Sequence, residues 1–129
     1  MEYKDLVGIP FKYGGRDKSG MDCWGLVVEI YRRMGIEIED LDYCNKIALG
    51  DNPVFEEHKS EDWERVMPPF KEGDVVLFRL HGAQYPTHCG VYLKGGKVIH
   101  AVERHGVVIT PIRSLLPKID SVYRHKCLA

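Results

Sequence analysis

Cys23 sits in Gly20-Met21-Asp22-Cys23-Trp24-Gly25-Leu26-Val27, where a glycine-containing turn passes into an apolar helix. The first N–H groups of a helix have no intrahelical acceptor and carry partial positive charge, so a sulfur placed there is stabilised as thiolate, below the free value of about 8.5. A nucleophilic thiol also needs a base. Two imidazoles are available: His88 in Thr87-His88-Cys89-Gly90-Val91-Tyr92-Leu93 and, twelve positions on, His100 in Val98-Ile99-His100-Ala101. These residue types suit acyl transfer. Cys23 attacks a carbonyl carbon, His88 takes the thiol proton and returns it to the leaving amine, and His100 holds the far nitrogen of His88 in one tautomer. The Cys23 backbone N–H is the expected oxyanion donor. Asp22 can cap the first turn, but a carboxylate beside a thiolate opposes the helix-end effect, so its side chain is expected to point away from sulfur. Taken singly, a cysteine on an apolar helix is usually core, and a lone strand histidine is usually a satisfied packing residue. The combination carries the chemistry.

The elements that must position these groups follow from periodicity. Leu26, Val27, Ile30, Tyr31 and Met34 recur at three- and four-residue spacing, which predicts a helix from Asp22 to Met34 with Gly35 as its stop. A shorter helix is predicted near Pro53 to Glu61, with Asn52 as cap and Glu56 and Glu57 in its first turn. From Gly73 the pattern changes to short β-branched runs, Val75–Arg79, His88–Leu93, Val98–Val102 and Val107–Thr110, read as an antiparallel meander. Helices first and strands afterwards predict an α+β fold, with N-terminal helices packed on an antiparallel sheet, and residues 1–129 forming one domain.

The turn between the two histidine strands decides whether His88 and His100 can cooperate. A two-residue Gly95-Gly96 hairpin places the imidazoles on opposite sheet faces. A three-residue loop, Lys94-Gly95-Gly96 with Gly96 left-handed and a bulge, sets His88 opposite Val102 and His100 opposite Gly90, so both rings share a face. Gly90 then leaves room beside the His100 ring. The three-residue loop is the expectation.

Composition excludes several classes. A formal net charge of -1 provides no basic field for nucleic acid, and 44% hydrophobic with 29% charged residues is ordinary for a globular protein. The charged start Met1-Glu2-Tyr3-Lys4-Asp5-Leu6 lacks a signal-peptide pattern, and no apolar run is long enough for membrane insertion, which predicts synthesis in the cytoplasm. Reduced thiols are then expected at Cys23, Cys44, Cys89 and Cys127. A metal site would draw on His88, Cys89, His125 and Cys127, but the spacing fits no zinc motif; no metal and no organic cofactor is expected.

These residues resemble the NlpC-type cell-wall cysteine peptidases, which have a compact papain-like fold. The resemblance rests on Pro10-Phe11-Lys12-Tyr13-Gly14-Gly15, Gly20 to Val27, Gly73-Asp74-Val75-Val76-Leu77-Phe78, His88 to Leu93 and Ile99-His100-Ala101, in family order along nearly the whole chain. It implies cleavage of peptidoglycan stem peptides, commonly at the γ-D-glutamyl bond to diaminopimelate or lysine, by Cys23, His88 and His100. Trp24 after the cysteine, the run Gly14 to Asp17, Trp63-x-x-Val66 and Tyr123-Arg124 look like the phage and prophage tail branch. That implies tail-tip proteins as partners and a virion tail as destination; a cytoplasmic enzyme trimming recycled muropeptides is the other enzymatic reading. One position departs from the family: Phe11 stands where many members have a tyrosine whose hydroxyl assists the oxyanion. A tail-tip assembly module without turnover is therefore the rival from another class.

Around the cysteine, Arg16, Tyr13, Asp22 and Trp24 are the expected substrate-binding residues. Arg16 has two readings, a bidentate partner for a substrate carboxylate or a solvated charge. Gly14 to Gly20 lacks the order of a phosphate-binding loop and is read as a turn wrapping the helix start. Phe55 and Trp63 are expected to pack in the core rather than line a cleft, and His81 and His105 to lie in loops flanking the sheet.

Overall fold

The computed structural model describes residues 3–41, 55, 59–80 and 83–128. A short hairpin of β1 (Arg16–Asp17) and β2 (Gly20–Met21) leads into α1 (Cys23–Arg33). The remaining strands are β3 (Trp63–Arg65), β4 (Val75–Phe78), β5 (His88–Leu93), β6 (Lys97–Val102), β7 (Gly106–Pro111) and β8 (Ile119–His125). They form one six-stranded sheet in the order β3-β8-β4-β5-β6-β7, antiparallel at every pairing. The expected meander is β4 to β7; β8 then returns to the far side of β4. The predicted helix at Pro53 to Glu61 lies largely outside the described residues, although Lys59 N–H donates to the Phe55 carbonyl and Phe55 is buried. α1 packs on the sheet through its buried residues, with Phe55 in the same cluster.

Both ends of α1 are closed by local chemistry. Asp22 is extended (φ −92°, ψ −177°) and its carboxylate accepts the Gly25 N–H. At the other end Ile36 N–H donates to Tyr31 O and Gly35 N–H to Arg32 O, the paired bonds of a Schellman stop. Leu26, Val27 and Ile30 lie wholly inside, and each contributes about 1.5–3 kcal/mol relative to exposure.

The sheet is covered on both faces, which is why Val75-Val76-Leu77-Phe78 reads as unbroken apolar sequence. Val75, Leu77, Cys89, Val91, Ile99, Ala101 and Tyr123 pack with α1. Val76, Phe78, Val98 and Val122 form a second cluster under Val66, Phe70, Leu80 and Ile112. The fully buried Asp74 ties β4 to β8 through two bonds from Arg124, each 2.8 Å.

The loop between β5 and β6 is the three-residue one. Val91 pairs with Ile99, Tyr92 with Val98 and Leu93 with Lys97, leaving Lys94-Gly95-Gly96 between them, with Gly96 at φ 76°. Gly90 consequently lies against His100: a Cβ there would come within 2.9 Å of the His100 Cβ and 2.7 Å of a Val98 methyl. Gly90→Ala is expected to lower stability by about 1–3 kcal/mol, read as a reduced midpoint in urea denaturation. An unchanged midpoint would mean the two strands are not packed at this distance.

Candidate active site

The start of α1 is held by a strap from the N-terminal segment. Met21 N–H donates to Pro10 O and Lys12 N–H to Met21 O, while Val107 N–H donates to Ile9 O. Gly25 fits because the Gly15 carbonyl lies where its Cβ would be, 2.2 Å away. Asp22 uses both oxygens. Oδ1 accepts from Gly25 N at 2.7 Å and Arg16 Nη1 at 2.7 Å, and Oδ2 accepts from Gly14 N at 2.9 Å. The carboxylate of the residue before Cys23 is thus matched by a guanidinium.

That arrangement changes the reading of the expected substrate-binding set. Arg16 also donates from Nη1 to Gly15 O, from Nη2 to Leu41 O and from Nε to Asp40. Four of the five N–H groups of a guanidinium are committed inside the protein, so neither a bidentate grip on a substrate carboxylate nor a purely solvated charge describes it. Trp24 is 1% exposed, donates its indole N–H to Glu39 O and packs near Phe55 and Trp63. It is a core residue, out of reach of a substrate, and Phe55 is core with it. Asp22, also 1% exposed, acts as cap and counter-ion. Tyr13, at 49%, is the exposed member of the four, its ring edge-on to Phe11 at 5.0 Å. Phe11 itself is half-buried against the core.

His88 and His100 stand on one face and touch. His88 Nε2 lies 2.8 Å from His100 Nδ1, and His100 Nε2 lies 2.9 Å from Thr110 Oγ1. Phe78 lies beside both rings, with centroids at 5.4 and 6.1 Å. Burial pushes both imidazoles well below their ordinary value of 6.5, and His88 is lowered further by the charge of His100. Both are therefore neutral near pH 7. The Nε2 of His88 is engaged with His100, so Nδ1 is the nitrogen left to meet a thiol.

Two paths place Cys23 at the same end of the sheet as His88. Tyr31 Oη donates to Gly73 O, and Gly73 N–H donates to Tyr92 O, which pins the later part of α1 beside the later part of β5. From Tyr31 back to Cys23 is about 12 Å of helix, and from Tyr92 back to His88 about 13 Å of strand. The second path runs through the strap, which joins Met21 to the start of β7, where Gly106 pairs with Val102. The β5–β6 register continued from its pairs sets Val102 opposite His88. Cys23 packs on the helix side of the sheet and the imidazoles on the other, at the rim where β5 begins.

Thr110 was not among the residues singled out from sequence. It faces Val98, two residues along β7 from the Val108 that faces His100, so extending the register across the second hairpin would have found it. His105 is exposed in the β6–β7 loop at this rim; His81 lies outside the described residues. The zinc reading has no support in geometry: His125 accepts from Cys127 N and packs between Tyr31 and Trp63, far from the His88 face. Among the described residues no three His, Cys, Asp or Glu side chains could hold a metal ion. No helix among them is long and apolar enough to cross a membrane.

Since the folded protein keeps these imidazoles neutral while the unfolded chain protonates them below about 6.5, stability is full above that value and falls with pH beneath it. Denaturation between pH 7.5 and 5 is expected to show a steeper loss for the wild type than for His88→Gln; equal slopes would mean that His88 is charged when folded. Separately, Arg16→Ala leaves Asp22 uncompensated beside Cys23 and is expected to slow thiol alkylation at pH 7 by roughly threefold to tenfold. An unaltered rate would remove the counter-ion role.

Comparison with known proteins bears on this geometry. The sequence model of the NlpC/P60 family matches residues 8–122. The chain is 29% identical over 113 residues to a Gamma-DL-glutamyl hydrolase of Bacillus subtilis, covering 84% of this chain and 24% of that protein. It is 29% identical over 110 residues to the Murein DD-endopeptidase MepS/Murein LD-carboxypeptidase of Escherichia coli, covering 84% and 50%. With the Probable endopeptidase NlpC of Escherichia coli it shares 30% over 120 residues, covering 92% and 65%. The chain thus spans between a quarter and two thirds of these relatives. Among solved structures, NlpC2 from Trichomonas vaginalis superposes with a TM-score of 0.71 at 21% identity, covering 95% of this chain and 43% of that one. The NlpC/p60 domain of peptidoglycan hydrolase SagA does so at 0.64 and 23%, covering 95% and 91%. These two likenesses establish the fold.

Proposed function

The chain belongs to the NlpC/P60 family, and from that premise we propose that it is a cysteine peptidase hydrolysing amide bonds in peptidoglycan stem peptides. The observation that carries this reading is the His88–His100 hydrogen bond at the rim of the sheet where α1 begins with Cys23. Cys23 Sγ attacks the substrate carbonyl while His88 Nδ1 takes the thiol proton; the tetrahedral oxyanion is met by the Cys23 N–H. His88 returns the proton to the departing amine, leaving a thioester, and water activated by the same nitrogen then releases the acid. Such acid–base help is worth about 10²- to 10⁴-fold in rate. Near-neutral pH suits the buried, uncharged base.

The name of one relative, a Gamma-DL-glutamyl hydrolase, supports the γ-D-glutamyl bond to diaminopimelate or lysine as the target, while the Murein DD-endopeptidase/Murein LD-carboxypeptidase supports peptidoglycan peptides as the substrate class. The tail-associated setting belongs to the same proposal: made in the cytoplasm, assembled with tail-tip proteins, and used to open the wall locally. Phe11 favours the second reading, a tail-tip module with little turnover, because its ring supplies no hydroxyl at the oxyanion.

Defined γ-D-Glu-diaminopimelate and γ-D-Glu-Lys peptides, incubated under reducing conditions and followed by mass spectrometry, are expected to be cut by wild type and left intact by Cys23→Ala. Equal results for both proteins, with folding verified, would sink the peptidase reading. Phe11→Tyr is expected to raise kcat by about tenfold or more by adding an oxyanion donor; no gain would show that Phe11 does not limit the chemistry.

A further inference from the structure

His100 Nε2 is 2.9 Å from Thr110 Oγ1, and Thr110 is half-buried on the edge strand β7. We propose that Thr110 is a positioning residue: its hydroxyl oxygen is the terminal acceptor that fixes the proton on Nε2 of His100 and thereby keeps Nδ1 of His88 available as base. This rests on the reading of His88 as the general base.

A neutral imidazole has one N–H and one lone-pair nitrogen, so the run from His88 through His100 to Thr110 can be ordered in two directions. In the outward order, His88 Nε2–H donates to His100 Nδ1 and His100 Nε2–H donates to Thr110 Oγ1, leaving a lone pair on His88 Nδ1. In the inward order the threonine O–H donates to His100 Nε2, His100 Nδ1–H donates to His88 Nε2, and His88 Nδ1 carries hydrogen and accepts nothing. Only the outward order is a base.

The charged intermediate makes the requirement stricter. Once His88 holds the thiol proton it has N–H at both nitrogens, and its Nε2–H needs His100 Nδ1 as acceptor. His100 must then be protonated at Nε2, and that N–H is buried with Thr110 Oγ1 as its partner. A threonine oxygen accepts here while its own hydrogen turns to the partly open side. Among the described residues the aromatic ring beside both imidazoles is Phe78, which neither donates nor accepts. Valine at 110 keeps the shape and removes the acceptor.

The test uses three readouts. In ¹⁵N-histidine spectra of the wild type, His88 and His100 are both expected as Nε2–H tautomers at pH 7; a proton on Nδ1 of His100 overturns the proposal without recourse to any variant. Thr110→Val is expected to slow Cys23 alkylation across the pH profile near pH 7, because the imidazolium formed when His88 takes the thiol proton loses its support. Thr110→Ser should restore it. Turnover of the stem peptides should fall about tenfold in kcat for the valine variant with KM unchanged. A valine variant with wild-type spectra and alkylation profile, or a serine variant that behaves like valine, overturns the assignment. Because tautomers and alkylation need no substrate, they judge Thr110 even if the stem peptides prove not to be cleaved.

Discussion

Three residues, Lys94, Gly95 and Gly96, separate Leu93 from Lys97, and this spacing determines which side chains of β5 and β6 stand opposite one another. Side chains alternate across a strand, so one residue more or fewer in that loop would send His88 and His100 to different faces. With the register as it is, the rings meet at 2.8 Å and Gly90 makes room for the second imidazole. The next pairing, β6 with β7, adds Thr110 on the same face. A line of polar groups thus runs across three strands inside an otherwise apolar layer. Its members satisfy one another, which is what makes their burial tolerable.

Around that line the fold divides its tasks between the sheet's two sides. One face buries α1 and sets the position of Cys23; the other holds the imidazoles against Phe78. At the end of the sheet where β5 starts, the strap from Ile9 to Lys12 bonds to both β7 and Met21, the residue before Asp22. Burial there keeps both imidazoles neutral near pH 7.

Electrostatics at the helix start is a balance. A cap carboxylate ordinarily helps a helix and hinders a thiolate next to it. Arg16 resolves the conflict by pairing with Asp22 while its remaining bonds anchor it to Gly15, Asp40 and Leu41. The cap geometry is kept and the local charge is reduced. The same engagement removes Arg16 from the list of side chains a substrate would meet.

Much of this was legible in the residue order because it depends on local rules. The α1 boundaries follow from a capping aspartate, an apolar period and a terminal glycine; the runs at β4 to β7 follow from β-branched residues between turns; and the loop length between β5 and β6 follows from placing both histidines on one face. The strands β3 and β8 were hidden. β3 has three mostly exposed residues, too few for a period, and β8 carries Asp120, Ser121, Arg124 and His125, a polar run in which Arg124 is held by the distant Asp74. The chain by itself therefore determined the family pattern, the place of Cys23 at a helix start and the common face of the imidazoles. Folding decided that Trp24 is core, that Arg16 serves Asp22, and that Thr110 lies against His100. Each of those depends on which groups become neighbours across long sequence separations, and burial and hydrogen-bond satisfaction are properties of neighbours, not of the residue type.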